Sequence, residues 1–375
     1  MSVPLRVALV THNVTKGDGQ GRVNYEIARY GLARGAEVTL VTDRVAPELL
    51  AAGAKWLPVH PQVQHPVLLK VLDFTRKANR VVKKHSSQFD IVCANGYVLS
   101  IPHDVNCVHF VHTSWLRSPY RVSRMGKQFY VCYQNFYTRL NSFLERIAFA
   151  KARKLVAVSD LVAEELAAMG IPAAKTATIR NGVDVGEFHP GAADRFAFAL
   201  PQDRLIGLFV GDIRSSIKNL DTVLKALKSI EDIDLAVAGG TENSCYPKLA
   251  RQLGVENRVH FLGFCRNIPE LMRAVDFFVF PSRSDTFGLV VTEAMASGLP
   301  VITAATVGSA NLITSECGRV LSDPNDVEGL AGFLSELAAD SQLRISMGLT
   351  ARAIAERNTW EHMAEKYWDL FQRRS

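Results

Sequence analysis

Residues 5–43 restrict the fold more than any other stretch. A short β-branched apolar run, LRVALVT (5–11), leads into a glycine-rich loop, GDGQG (17–21). Val23, Ile27, Tyr30 and Leu32 then recur at helical spacing, Gly35 stops them, and AEVTLVTD (36–43) is a second apolar run. Two strands joined through a helix run parallel, because an antiparallel pair needs only a tight turn between them. A parallel sheet must be covered by helices on both faces, so this opening commits the chain to an α/β layer architecture.

The same pattern continues. DIVCAN (90–95), NCVHFVH (106–112) and KLVAVSD (154–160) are further apolar runs between helical stretches, with His109 and His112 expected to end the middle strand. A second series begins at RLIGLFVGD (204–212) and continues through IDLAVAGG (233–240), RVHFLG (258–263), DFFVFPS (276–282) and LPVITA (299–304). Helical segments such as NLDTVLKALKSI (219–230) and EGLAGFLSELAAD (328–340) lie between them. For 375 residues, at about 100–200 per domain, two doubly wound domains are expected. NGVDVGEFHPGAADRF (181–196), rich in turn residues, is the expected hinge between a domain over 1–180 and one over 181–358.

Composition removes several classes. With 48% apolar and 21% charged residues the chain is globular rather than disordered. No apolar run approaches the roughly 18 residues of a membrane span, so none is expected. The start, MSVPLRVALVTHNV, reads as a first strand and not as a signal peptide. Six cysteines include no Cys-x-x-Cys pair, which argues for reduced thiols in a cytoplasmic protein and against a zinc ribbon. HExxH, GxSxG and Walker A patterns are missing too. The net charge of +6 is uneven: residues 1–170 carry 22 Lys/Arg against 12 Asp/Glu, and 171–375 carry 21 against 25. That asymmetry turns the first half toward a polyanion, whether nucleic acid, anionic lipid or an acidic glycan.

The chemistry concentrates in PSRSDTFGLVVTEAMASGLPVI (281–302). Asp285 precedes Glu293 by eight positions, and Phe287, Gly288 and Leu289 open a helix after a strand. Gly288 permits close backbone approach, and amides at a helix N-terminus hold a phosphate. Glu293, on that helix, is placed to reach a ribose diol, and Gly298 and Pro300 end the helix.

This segment resembles the acidic-x7-Glu signature of glycosyltransferase family 4, and the resemblance spans nearly the whole chain. VGDIRSSIKNLDTVLKAL (210–227) resembles the family's phosphate segment, and IRNGVDVGEFHP (179–190) its interdomain signature. VAGG (237–240), VHFLGF (259–264) and KLVAVSD (154–160) match flanking strands. The resemblance implies a GT-B fold, with two Rossmann-like domains facing an interdomain cleft. It places the acceptor on the first domain and the nucleotide-sugar on the second, and it returns the final helix (about 359–375) to the first.

The implied activity is a retaining transfer of a hexosyl unit from a UDP- or GDP-sugar to a glycan or lipid-linked glycan, in cell-surface polysaccharide or lipopolysaccharide synthesis. No cofactor and no metal is implied. His112, Asp285 and Lys218 take the catalytic positions, and Gly19, Gly21, Arg214, Lys218, Phe287, Gly288, Leu289 and Glu293 the donor-binding ones. Lys218 and Arg214 would act as cations facing the leaving diphosphate. One departure stands out: the first acidic position, usually glutamate, holds the shorter Asp285. Two rivals are a nucleotide-sugar epimerase or hydrolase of GT-B fold, and a non-catalytic module that binds nucleotide-sugar or membrane. A nicotinamide-binding fold is disfavoured because Arg22 occupies the last glycine position of G-x-G-x-x-G counted from Gly17, although Asp43 sits where that fold's acidic residue would.

One further segment is unusual. Residues 115–154 hold Arg117, Arg121, Arg124, Lys127, Arg139, Arg146, Lys151, Arg153 and Lys154 against Glu145 alone, interleaved with Trp115, Tyr120, Phe129, Tyr130, Tyr133, Phe136, Tyr137, Phe143 and Phe149. A second basic run, Arg76 to Lys84, lies in the same half. Such mixing suits an anionic membrane surface or nucleic acid. Beside the resemblance to lipid-acceptor enzymes, lipid is the expected partner and nucleic acid is not. The protein is then expected in the cytoplasm, peripheral on the inner face of the membrane.

Overall fold

The computed structural model describes residues 4–17, 19–63, 65–121 and 128–373. Arg124 and Lys127 of the basic segment lie outside the described residues, as do Asp18 of the glycine-rich loop and the side chains of Phe129 and Tyr130. The chain forms two compact units, Met1–Gly182 with Trp360–Ser375, and Val183–Thr359.

Unit 1 begins with β1 (Arg6–Val10), β2 (Asn13–Val14), α1 (Gly19–Ala33), β3 (Glu37–Thr42), β4 (Arg44–Val45), α2 (Pro47–Ala51) and β5 (Lys55–Pro58). It continues through α3 (Val67–Lys84), β6 (Ile91–Asn95), β7 (His103–Val108), α4 (His112–Trp115), α5 (Gln128–Lys151), β8 (Ala152–Ala157), α6 (Asp160–Ala168) and β9 (Thr176–Thr178). Its main sheet has the order β5-β3-β1-β6-β7-β8-β9, and all its pairings are parallel. β2 and β4 form a separate short parallel pair. The strand order reverses between β1 and β6, which leaves a crevice at the carboxyl ends of those strands.

Two expectations about unit 1 are corrected. The loop read as residues 17–21 ends early: Gly19 and Gly21 already belong to the first turn of α1. Glycine has poor helix propensity, but packing of the buried face of α1 (Val23, Ile27, Tyr30) decides where the helix starts. The strand read as ending at His112 stops at Val108, because its neighbours β6 and β8 end at Asn95 and Ala157 and offer no further ladder. His112 instead opens α4.

Unit 2 alternates β10 (Leu205–Val210), α7 (Leu220–Leu227), β11 (Ile233–Ala238), α8 (Tyr246–Leu253), β12 (Val259–Gly263), α9 (Ile268–Arg273), β13 (Phe277–Phe280), α10 (Leu289–Ala296), β14 (Val301–Ala304) and β15 (Gly318–Leu321). Helices α11 (Val327–Ala339) and α12 (Ser341–Glu356) close it. The sheet order is β12-β11-β10-β13-β14-β15, again all parallel, and it reverses between β10 and β13. β11 is buried along its whole length, as an inner strand covered on both faces should be.

Helix α13 (Trp360–Gln372) belongs to unit 1 and lies against α1. The indole of Trp368 donates to the Ile27 carbonyl at 2.8 Å. A Cβ on Gly31 would stand 1.8 Å from that indole, so only glycine admits the helix at this distance.

Candidate active site

In unit 2 the chemistry gathers where β10 and β13 diverge. After β10 the chain makes a short 3-10 turn, Ser216–Lys218, and then places Asn219 in the left-handed region at φ 66°. Asn219 is fully buried, and its amide donates to the carbonyls of Pro281 (2.8 Å) and Pro324 (2.6 Å). Arg283 fastens the same turn from the β13 side. Its guanidinium donates to the Ser216 carbonyl at 2.6 Å and grips Asp221 with both terminal nitrogens (2.9 and 2.8 Å). That ion pair holds the Asp221 carboxyl below its usual range against the opposing effect of burial. The two loops are thereby joined independently of Lys218 and Asp285.

On this frame Lys218 Nζ meets Asp285 Oδ2 at 2.6 Å, although 67 positions separate them. The other oxygen of Asp285 accepts from the Phe287 amide at 3.2 Å. Lys218 was expected, with Arg214, as a cation facing the leaving diphosphate, and no acidic partner was expected for it. It is instead paired, because the loop carrying Asp285 is drawn back by Asp285 N donating to Thr306 O and by Gly308 N donating to Asp285 O. Gly288 then takes φ 80°, and a Cβ there would stand 2.6 Å from Val307 Cγ1. Gly288, the residue before α10, has no side chain with which to cap the helix. Phe287 is buried, Leu289 and Val290 are half-buried, and Glu293 is half-buried one turn into α10.

A cavity of about 630 Å³ opens beside this pair, at the ends of β10, β11 and β12. Gly211, Asp212, Arg214, Gly240, Glu242 and Phe264 line it. A Cβ on Gly211 would touch Lys218 Cγ at 3.4 Å, so the cavity and the ion pair are neighbours. Arg214, expected to act with Lys218, is exposed and forms a two-pronged pair with Asp212 at 2.7 and 3.0 Å. That contact holds the Asp212 carboxyl below its usual range and raises the guanidinium's own value.

In unit 1 a cavity of about 230 Å³ sits at the corresponding switch point. His12 follows β1, Asn95 ends β6, and His109 and His112 follow β7; all four line the cavity, as does Gln20, between Gly19 and Gly21. Burial, helped by the charge of Lys70, pushes the His12 imidazole down to about 4, so it is neutral near pH 7. His112 is held from below by Glu145 of α5. The Glu145 carboxylate, 3% exposed, accepts from the His112 amide (2.8 Å), the Thr113 amide (2.8 Å) and the Thr113 hydroxyl (2.7 Å). It also meets His112 Nδ1 at 3.1 Å. No acidic partner for His112 was expected from the sequence, where Glu145 counted only as the one charge opposing a basic surface. Nearby Glu165 on α6 has its carboxyl pushed up to about 7, by burial first and by the Glu145 charge second.

The basic, aromatic segment divides between faces. In α5, Thr138, Asn141, Leu144, Glu145, Ala148 and Phe149 are buried, whereas Phe136, Arg139, Phe143 and Arg146 are exposed and follow one another at helical spacing. Tyr133 and Tyr137 are half-buried, Arg117 and Lys151 are exposed, and Arg121 is tied to Asn135. Arg153 pairs with Asp104 at 3.5 Å, and Lys154 donates to the Ala174 carbonyl at 2.8 Å. Among the described residues no helix is long and apolar enough to cross a membrane, and no group of three or more His, Cys, Asp or Glu is placed to hold a metal ion.

Two families match successive parts of the chain. Residues 17–187 match Glycosyltransferase Family 4, and residues 192–354 match Glycosyl transferases group 1. The D-inositol 3-phosphate glycosyltransferase of Mycolicibacterium smegmatis is 31% identical over 229 residues, covering 58% of this chain and 50% of that protein. The protein of the same name from Mycolicibacterium paratuberculosis is 26% identical over 408 residues, covering 100% of this chain and 91% of its own length. The chain spans about half the length of the first curated relatives it matches, 56% and 50%.

Three solved structures share the fold. Sucrose-phosphate synthase from Thermosynechococcus elongatus superposes with a TM-score of 0.78 at 19% identity, covering 98% of each chain. WaaG, a glycosyltransferase involved in lipopolysaccharide biosynthesis, gives 0.76 at 22%, covering 97% of this chain and 99% of its own. Anabaena Alr3699/HepE in complex with UDP-glucose gives 0.73 at 20%, covering 98% and 100%. With two parallel Rossmann-like sheets, a Family 4 match over one half and a group 1 match over the other, the chain belongs to the glycosyltransferases of GT-B fold.

Proposed function

We propose that this protein transfers a hexosyl unit from a UDP- or GDP-sugar to a hydroxyl of a glycan or lipid-linked glycan, with retention of anomeric configuration, in cell-surface polysaccharide or lipopolysaccharide synthesis. The observation that carries the reading is the Lys218–Asp285 pair, set at a sheet switch point beside the glycine-led start of α10. An anionic leaving group suits that place. The amides of α10 and the lysine ammonium stabilise charge that grows on the diphosphate as the glycosidic bond breaks. Glu293 accepts from the ribose hydroxyls, Arg214 adds charge at the cavity mouth, and the larger cavity takes the nucleoside. The UDP-glucose complex of the Anabaena protein supports a nucleotide-sugar as the ligand.

In unit 1 the smaller cavity takes the acceptor, with His112 as a hydrogen-bonding group for its sugar hydroxyls. The reaction breaks the bond from the anomeric carbon to the diphosphate oxygen and forms one to the acceptor oxygen on the same face. The acceptor's proton passes to the departing phosphate. Charge is handled by fixed cations and amides, so the reaction needs no metal. The exposed Phe136, Arg139, Phe143 and Arg146 suit docking on an anionic membrane, where a lipid-linked acceptor resides. Such docking would keep the protein at the cytoplasmic face of the membrane.

The test is turnover of UDP-glucose and GDP-mannose with and without trial acceptors, inositol 3-phosphate and glucose among them, in the presence and absence of EDTA. Transfer that needs an acceptor and survives EDTA is expected. Donor consumption that ignores the acceptor would instead identify an epimerase or hydrolase. Binding without turnover would identify a non-catalytic module.

A further inference from the structure

The contacts of Glu145 exceed what its place in the fold requires. Helix α4 is a single turn, and the residue before it, Val111, has no side chain able to cap it. Glu145 supplies that cap from 33 positions away, accepting both first amides and the Thr113 hydroxyl. Ser142, one turn earlier on α5, lies 2.7 Å from the same hydroxyl and completes it. A neutral amide or hydroxyl could cap one turn at less cost, because a carboxylate this deep gives up its hydration. The fourth contact, to His112 Nδ1 at 3.1 Å, does nothing for the cap and bears only on the imidazole.

A buried carboxylate that already accepts three hydrogen bonds can offer Nδ1 only an acceptor, so Nδ1 carries the proton. The other nitrogen, Nε2, is not engaged by Glu145, and His112 lines the smaller cavity. The ring is also held in place: its own backbone amide and Nδ1 both bond to the same oxygen of Glu145. Phe110 packs edge-on against it at 4.9 Å between centroids, and Tyr137 lies at 6.3 Å. His12, beside the same cavity, is neutral by burial and brings no charge that would reverse the arrangement.

We infer that Glu145 is the positioning residue of the acceptor site: it fixes the orientation of His112, keeps the proton on Nδ1, and leaves Nε2 to accept a hydrogen bond from a sugar hydroxyl. The inference rests on the reading of the smaller cavity as the acceptor site, and its test does not depend on turnover. In the intact chain labelled with 15N-histidine, a two-bond proton–nitrogen correlation spectrum reports which nitrogen of each imidazole is protonated, and His112 is assigned by its loss in His112→Asn. A protonated Nδ1 and a bare Nε2 are expected; a proton on Nε2, in a neutral or a doubly protonated ring, overturns the inference whether or not the protein transfers sugar.

Glu145→Gln turns one acceptor oxygen into a donor and should move the His112 proton to Nε2, while the amides of β1, β6 and β7 keep their wild-type hydrogen-exchange protection and report that unit 1 is folded. Where the wild type transfers sugar, kcat in Glu145→Gln should fall about 10-fold, the usual cost of losing one hydrogen bond to the acceptor, with donor KM unaltered. An unchanged kcat overturns the inference and leaves the proposed reaction standing. Failure of the wild type to transfer sugar with a correctly protonated His112 overturns the reaction instead.

Discussion

Lys218 and Asp285 fix each other's position, so replacing one disturbs two groups. Lys218→Ala should lower turnover at saturating donor by about 10²–10³, the usual effect of removing one preorganised electrostatic partner. Turnover near the wild-type value would make the pair purely structural. Glu293→Ala should weaken nucleotide binding by about 1.5–3 kcal/mol with the fold intact, which titration calorimetry with UDP or GDP reads directly. Glu165 carries a different consequence. Its carboxyl is pushed from 4.5 to about 7, so in that interval the folded chain holds a proton that the unfolded chain has released. Stability therefore falls as pH rises through the interval, and the loss is complete above it. Glutamine cannot ionise, so the melting temperature of Glu165→Gln relative to wild type should climb from the acid end of the interval to its top and then level. A difference that stays flat with pH would mean that Glu165 is not buried in its ionisable form. The loop and helix that carry Asp285 and Glu293 were legible in the sequence because their spacing is local, whereas the contact of Asp285 with Lys218, 67 positions away, was not legible there. Nor was Glu145, because its partners lie 32 and 33 positions back and burial alone turns a surface charge into an internal one.

Helix α5 shows what one element adds to a list of residues. Along the sequence its aromatics and cations simply alternate, and nothing there says which are core. The fold sorts them: Phe149 is fully buried, while Phe136 and Phe143 stay 59% and 60% exposed beside Arg139 and Arg146. A stripe of this kind binds an anionic bilayer through ring insertion and about 1 kcal/mol per basic residue, falling off within a Debye length. The protein should therefore float with phosphatidylglycerol vesicles at low salt and be released at high salt. Replacing Phe136, Arg139, Phe143 and Arg146 by serine should abolish flotation and leave nucleotide binding intact. A wild type that does not float at low salt would assign the stripe to a soluble acidic glycan or to solvent. Three strands missed from sequence share a physical reason. β5, β9 and β15 lie at sheet edges, are 4, 3 and 4 residues long, and lack the buried apolar run that marks the inner strands.

At the scale of the whole molecule the chain does not finish where it last worked. Having completed unit 2 at Thr359, it returns to unit 1 with α13, whose Met363, Tyr367, Trp368 and Phe371 are all buried. Within unit 1 this helix lies on α1, the same helix whose first turn carries Gly19, Gln20 and Gly21 next to the smaller cavity. The packing of the last helix therefore supports the start of the first, and damage to it should be felt in unit 1 and not in unit 2. Trp368→Ala removes a buried indole, its hydrogen bond to the Ile27 carbonyl and the surface that Gly31 was shaped to meet. A loss of about 3–5 kcal/mol is expected, the range for emptying a large aromatic site. Hydrogen exchange locates that loss. Amides of α1, β1 and α13 should exchange faster in the variant, and those of β10, β11 and β13 should keep their protection. Nucleotide affinity should remain at the wild-type value, since Lys218, Asp285 and Glu293 all lie within Val183–Thr359. Equal loosening of β10 and β11 would show instead that the two units unfold as one and that α13 supports the whole chain.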